Sequence, residues 1–92
     1  MAHTSRDKDK LLARVRRIKG QTEAIERAID EGHDCEKVLQ QVAACRGAMN
    51  GLMAELIDGH VRHHVLIPAQ NPTAGQLEAA DELMAIVRRY LS

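Results

Sequence analysis

The chain has 92 residues, 45% of them hydrophobic and 28% charged, with 13 basic side chains balancing 13 acidic ones. That length holds one domain, residues 1–92, and the composition excludes a disordered chain, which would be poor in apolar residues and high in net charge. No run of 18 apolar residues occurs, and no apolar stretch follows the polar N-terminus, so a membrane span and a secretory signal are excluded and a cytoplasmic location is expected.

Trp and Phe are absent and Tyr90 is the single aromatic residue. Leu, Ile, Val, Met and Ala must therefore pack the core, a set that suits helices better than sheets. In the first third, Leu11, Val15, Ile18, Thr22, Ile25 and Ile29 recur at alternating spacings of four and three, the pattern of a helix seeking a helical partner. A helix over about residues 5–31 is predicted, capped by Thr4 or Ser5, weakened at Gly20 and left through Gly32. A second pattern starts at the N-cap candidate Asp34 and runs through Val38, Leu39, Val42, Cys45, Met49, Leu52, Met53, Leu56 and Ile57, with no stop before Pro68. A helix over 34–66 would be about 50 Å long, against about 30 Å for a compact globule of this size. One copy cannot wrap such a rod. Gly47 and Gly51, four apart, offer a face where another helix could come close; a break at Gly51 or Gly59 is the alternative. Pro68 to Thr73 reads as a turn, and Thr73 with Gln76 has capping-box spacing for a last helix over 74–91, with Leu77, Ala80, Leu83, Met84, Val87 and Leu91 as its apolar stripe. The expected fold is all-α, three helices per chain, assembled from identical chains.

Charge is unevenly placed. Residues 1–20 hold Arg6, Lys8, Lys10, Arg14, Arg16, Arg17 and Lys19 against Asp7 and Asp9, a balance of +5, so the remaining 72 residues carry −5. At 100° per residue, Arg6, Lys10, Arg14 and Arg17 form a basic stripe beside the apolar arc, with Lys8, Arg16 and Lys19 flanking its other side. Such a stripe is either a solvated surface or a contact for DNA phosphates, multiplied by self-association. The spacings of helix-turn-helix and zinc-finger modules are missing, so DNA affinity would come largely from phosphate neutralisation, with preference read partly through DNA shape.

Cys35 and Cys45 lie about 15 Å apart along one predicted helix, too far for a disulfide, and are expected as thiols. His60 and His64 are i and i+4, a spacing that brings two imidazoles to one metal ion or simply sets two histidines on a solvated surface. Imidazole with thiolate suits Co, Ni, Cu and Zn rather than Mg or Ca. Cys35 is a natural third ligand, yet it sits about 37 Å from His60 on a straight helix. Two copies packed antiparallel would set Cys35 of one beside His60 and His64 of the other, and His3 could complete the site and couple it to the basic helix. His63 points about 100° from His64, either a spare ligand or a solvent-facing side chain. Cys45 falls in the apolar rhythm as a core residue, and His33 reads as a surface residue at the helix junction.

His3, R-D-K-x-K-L (residues 6–11), R-V-R-R-I-K-G-Q (14–21), Cys35, V-L-Q-Q-V-A-A-C-R-G-A-M-N-G-L-M (38–53) and H-x-x-H-H (60–64) together resemble the CsoR/RcnR/FrmR family of metal- and formaldehyde-responsive transcriptional repressors. The similarity extends from residue 1 to about 66. It implies an antiparallel four-helix-bundle dimer that assembles as a tetramer, binds operator double-stranded DNA without effector and releases it when effector binds, freeing an export or detoxification gene. The set His3, Cys35, His60 and His64, with His63 as a further candidate, resembles the nickel/cobalt branch: Ni(II) or Co(II) is the implied effector and Zn(II) the next. A copper sensor of this family would carry cysteine where His64 stands. For DNA contact the resemblance points to Arg14, Arg16, Arg17 and Lys19; Lys10 comes from the stripe.

Two other readings remain. A formaldehyde-responsive repressor of the same family would use a nucleophilic Cys35 with an N-terminal proline, but position 2 is Ala2. A DNA-independent metal-binding or storage protein would use the same ligands and fits the zero net charge. Enzymatic use of Cys35 lacks an orienting third group, so no enzyme and no organic cofactor are expected.

Overall fold

A computed structural model describes Thr4 and residues 7–66 and 71–91, except for the side chains of 64–66. It contains three helices, α1 (Lys8–Asp30), α2 (Cys35–His60) and α3 (Ala74–Leu91), with a π-helical segment, Val61–Leu66, continuing α2. There is no strand among the described residues. The all-α architecture expected from the composition is thus observed.

Helix ends follow local chemistry. At the start of α1 the residue in the N-cap position is Asp7, whose side chain makes no capping hydrogen bond; Thr4 lies further upstream and Ser5 outside the described residues. Gly32, at φ +75°, ends α1 by donating to the Ile29 carbonyl at 3.1 Å while His33 N–H donates to Ala28 at 2.9 Å. This paired closure needs a left-handed residue, which glycine supplies without strain. Asp34 caps α2 by accepting from the Lys37 N–H at 2.8 Å. Thr73 and Gln76 close the expected box: Gln76 N–H donates to Thr73 Oγ1 at 3.1 Å and Thr73 N–H to Gln76 Oε1 at 2.8 Å. In the turn before it, Asn71 adopts φ +51°, a conformation asparagine tolerates better than most residues; Pro68 is outside the described residues.

α1 and α3 both pack on α2, and the result is a slab 56 × 26 × 12 Å, one helix layer thick. Its radius of gyration is 17.2 Å, against about 12 Å for a compact domain of this length. The buried hydrophobic residues are Ala28, Cys45, Ala54, Ala80 and Met84, whereas Val15, Ile29, Leu39, Val42, Met49, Met53, Leu77, Leu83, Ile86 and Tyr90 stay exposed.

The apolar stripes divide in a regular way. On α1 the shielded residues include Leu11, Arg14, Ile18, Gln21, Ile25 and Ala28, while Val15, Thr22 and Ile29 face outward. On α2 the row of shielded residues facing it includes Val38, Gln41, Cys45, Ala48, Leu52 and Glu55, with Leu39, Val42, Met49 and Met53 outward. Both inner seams keep the three–four spacing of packed helices. The single α1 stripe expected from periodicity therefore splits. Leu11, Ile18 and Ile25 serve the hairpin, and Val15, Thr22 and Ile29 form a second edge. The α3 stripe splits likewise, Ala80, Met84, Val87 and Leu91 inward and Leu77 and Leu83 outward. Gln21 and Gln41 each hold an amide oxygen away from water with no hydrogen-bond partner among the described residues.

The expected single α-helix over 34–66 is corrected at its end: regular α geometry stops at His60 and wider π turns carry the chain to Leu66. A break at Gly51 or Gly59 does not occur. Of the two glycines expected to admit a neighbour, Gly51 does so within the chain, since a Cβ there would stand 3.3 Å from Arg14 Nη1; nothing lies within 4 Å of such an atom at Gly47.

Candidate functional site

The basic side chains of α1 fall into two groups. Arg16, Arg17 and Lys19 are exposed and form no ion pair with described residues. Lys10 and Arg14 instead reach back to Glu55 on α2, at 3.2 Å (Nζ to Oε2) and 3.5 Å (Nη2 to Oε1). Of the outward stripe expected for Arg6, Lys10, Arg14 and Arg17, Arg6 lies outside the described residues, and Lys10 and Arg14, though not Arg17, are drawn toward α2. Together with Ala13 and Ala48, the three cations line a 330 Å³ groove between the helices.

Glu55 begins a network that sequence reasoning missed. Arg88 of α3 lies 3.6 Å from Glu55 and 3.0 Å from Asp58. Arg62, in the π segment, pairs with Asp58 and, at 2.7 Å, with Asp81 of α3. Partial burial pushes the Asp58 carboxyl up, but hydrogen bonds from Arg62 and Arg88, with their charges, outweigh it and hold the group below its ordinary value. Hydrogen bonds to Asp81 and Asp58 raise Arg62 above its usual value. The available signal was positional: Arg14 and Glu55 are charged residues at inner-seam positions of their helices, where an unpaired charge would be costly.

The chain sets its sulfur and imidazole donors at opposite ends of α2. Cys35 is an exposed free thiol at the first turn. His60, exposed, closes the α-helical part, and half-buried His63 follows in the π segment; both interact with neighbouring groups. His64 has its backbone in the same segment, its side chain being outside the described residues, as is the whole of His3. The 25 residues between Cys35 and His60 span about 37 Å of helix. Among the described residues of one chain, no group of three or more His, Cys, Asp or Glu could hold a metal ion. In type, one thiol with several imidazoles suits Co(II), Ni(II) or Zn(II), but Cys35 and His60 of one chain stand too far apart to share an ion. Cys45 is buried, in keeping with a core role. His33 Nε2 lies 3.1 Å from Glu31 Oε2, at the junction where the sequence placed it. No described helix is long and apolar enough to cross a membrane.

Residues 7–89 match the model of the metal-sensitive transcriptional repressor family. Over 91 residues, 99% of each chain, the sequence is 53% identical to an uncharacterized protein in the bioA 5′ region of Serratia marcescens. It is 45% identical, over the same share, to the transcriptional repressor RcnR of Salmonella paratyphi B. A solved structure, a Glu-to-His variant of the formaldehyde-responsive regulator FrmR from Salmonella enterica serovar Typhimurium, matches with a TM-score of 0.67 and 40% identity over 98% of this chain and 99% of that one.

Proposed function

The chain belongs to the metal-sensitive transcriptional repressor family, a family of regulators rather than enzymes, and from that premise we propose that it binds operator DNA in its effector-free form and is released by Ni(II) or Co(II). Release would derepress a metal-efflux gene; Zn(II) is the next effector in rank. The carrying observation is the placement of donors on α2: thiol at one end, histidines at the other, and an exposed apolar edge of Leu39, Val42, Met49 and Met53 between them. Antiparallel pairing of two copies along that edge covers surface a lone chain leaves in water. The same pairing brings Cys35 of one copy to His60 and His64 of the other, with His3 as the fourth donor and His63 in reserve. Pairs of such dimers would make the tetramer and present several copies of Lys10, Arg14, Arg16, Arg17 and Lys19 to DNA.

Metal and DNA then favour different arrangements of one assembly, and linkage makes their antagonism reciprocal. A coupling of about 1 to 3 kcal/mol lowers operator affinity roughly fivefold or more. Cobalt titration followed by absorption tests the site: wild type should develop a thiolate-to-cobalt charge-transfer band that Cys35→Ala lacks. Identical spectra would remove Cys35 from the ligand set.

The likeness to FrmR keeps a second reading in view, formaldehyde acting on the exposed Cys35 thiol; release from DNA by formaldehyde but by no metal would favour it. A storage protein is separated by gel shift, since it would show no salt-sensitive DNA binding.

A further inference from the structure

Lys10 and Arg14 belong to the face that would meet phosphate, yet in the DNA-free chain both are engaged by the Glu55 carboxylate. Building on the DNA-binding reading, we propose that Glu55 is an internal stand-in for phosphate, which competes with DNA for Lys10 and Arg14 and thereby limits how tightly the effector-free protein holds DNA.

The pairs are built to exchange. Glu55 keeps only 19% of its side chain exposed, whereas Lys10 keeps 61% and Arg14 39%. The carboxylate is thus shielded beside the helix seam, while the more exposed cations border the groove that they line with Arg17. A phosphate oxygen entering that groove meets the same ammonium and guanidinium groups that Glu55 holds. The contacts, at 3.2 and 3.5 Å, are partly solvated pairs of the weak kind, whereas a phosphate contact also gains from counterion release.

Arg88 makes the exchange reversible. A shielded carboxylate abandoned by every partner would resist giving up its cations, because an unpaired charge is left in a poorly hydrated place. Glu55 has a third cation, Arg88, at 3.6 Å, and Arg88 is itself anchored 3.0 Å from Asp58. Since Arg88 belongs to α3, it stays when the α1 side chains turn to phosphate. Were Glu55 instead a support that holds Lys10 and Arg14 in their DNA-contacting pose, its neutralisation would weaken binding. The two roles differ in sign.

The test uses the full-length apo protein and a fluorescently labelled mixed-sequence DNA duplex, because phosphate competition does not depend on sequence. Anisotropy titrations are run across a salt series on wild type, Glu55→Gln, Lys10→Gln and the double variant. Glu55→Gln should tighten binding roughly three- to tenfold at low salt, the range for removal of two weak competing pairs, with the gain shrinking as salt screens those pairs. In the Lys10→Gln background that gain should shrink to about half or less, as a direct pairwise coupling requires. Should Glu55→Gln fail to fold, Glu55→Asp withdraws the carboxylate by one methylene and should shift affinity in the same direction. Unchanged or weaker binding by the folded variant overturns the inference, as does a gain that persists in full without Lys10; in both cases wild-type DNA binding stands. Absence of salt-sensitive binding by wild type would overturn the DNA reading itself.

Discussion

Gly51 on α2 lies directly beneath Arg14 of α1: a Cβ at that position would come within 3.3 Å of Arg14 Nη1. The missing side chain leaves room for the guanidinium tip, which reaches toward Glu55, 3.5 Å away. Gly20 provides the contrast, since nothing stands within 4 Å of a Cβ there.

The two glycines should respond differently to alanine. Gly20→Ala removes only the conformational freedom of an exposed helical glycine and should raise stability by about 1 kcal/mol. Gly51→Ala gains the same propensity but makes the Arg14 tip shift by a few tenths of an ångström, so its net gain should be smaller. Urea unfolding at one fixed protein concentration measures both, the fixed concentration holding constant any contribution of self-association. Equal gains would mean that Arg14 does not rest on Gly51.

Asp58, held between Arg62 and Arg88, ties the π segment to α3 and gives stability a pH dependence. Its folded-state pKa lies below the ordinary value, so its contribution is complete above the unfolded-state value of about 3.9 and disappears as pH falls through the lower, folded-state value. Asp58→Asn should therefore cost roughly 0.5 to 1 kcal/mol at neutral pH, as expected of a part-exposed ion-pair network, and this deficit should narrow below about pH 4. Chemical unfolding of the metal-free protein at neutral and acid pH would show it; a deficit that stays constant to the lowest pH would separate the effect from the carboxylate's charge.

How much of this was legible in the sequence depended on the range of the interaction. Gly32, Asp34 and the Thr73–Gln76 box are local devices whose partners lie within four residues, and each stands where the residue pattern put it. The stripe of α1 was harder, because periodicity ranks positions by hydrophobicity and so grouped Val15, Thr22 and Ile29 with Leu11, Ile18 and Ile25. What the pattern did not show was that Arg14 lies inward, toward Glu55 41 residues away in sequence, while its apolar neighbour Val15 lies outward. The π turns after His60 had no signal in residues 61–66 that we can identify. The donor residues follow from spacing and resemblance, and the chain leaves Cys35 and His60 at opposite ends of one rod. Their meeting belongs to the proposed pairing of two copies, which no pattern within one chain encodes.

The outward edge yields a direct test of that assembly. Met49 and Met53 are each about half exposed and lie on the face of α2 that the paired arrangement would bury. A lysine there would place an unpaired charge in an apolar interface. Met53→Lys should therefore lower the assembled mass in sedimentation and reduce helicity at dilute concentration, because a lone chain keeps so little buried. Arg16→Ala, on an exposed position of α1, should leave the mass unchanged. A Met53→Lys protein of wild-type mass would mean that copies do not pair along this edge.

The two halves of the proposed function should separate by mutation. Arg17, exposed and bordering the groove, is assigned to phosphate, whereas His64 is assigned to the effector. Arg17→Ala should weaken apo DNA binding at low salt and make the salt slope shallower by about 0.9 for each phosphate that is no longer neutralised, while cobalt binding without DNA stays as in wild type. His64→Ala should bind DNA as wild type does but require more metal for release, since removing one imidazole weakens the coordination on which the coupling depends. Gel-shift titrations with and without Co(II), paired with direct cobalt titrations, give all four quantities. If His64→Ala were released by the wild-type amount of metal, this histidine would drop out of the sensing site, leaving Cys35, His60 and His3 as its ligands.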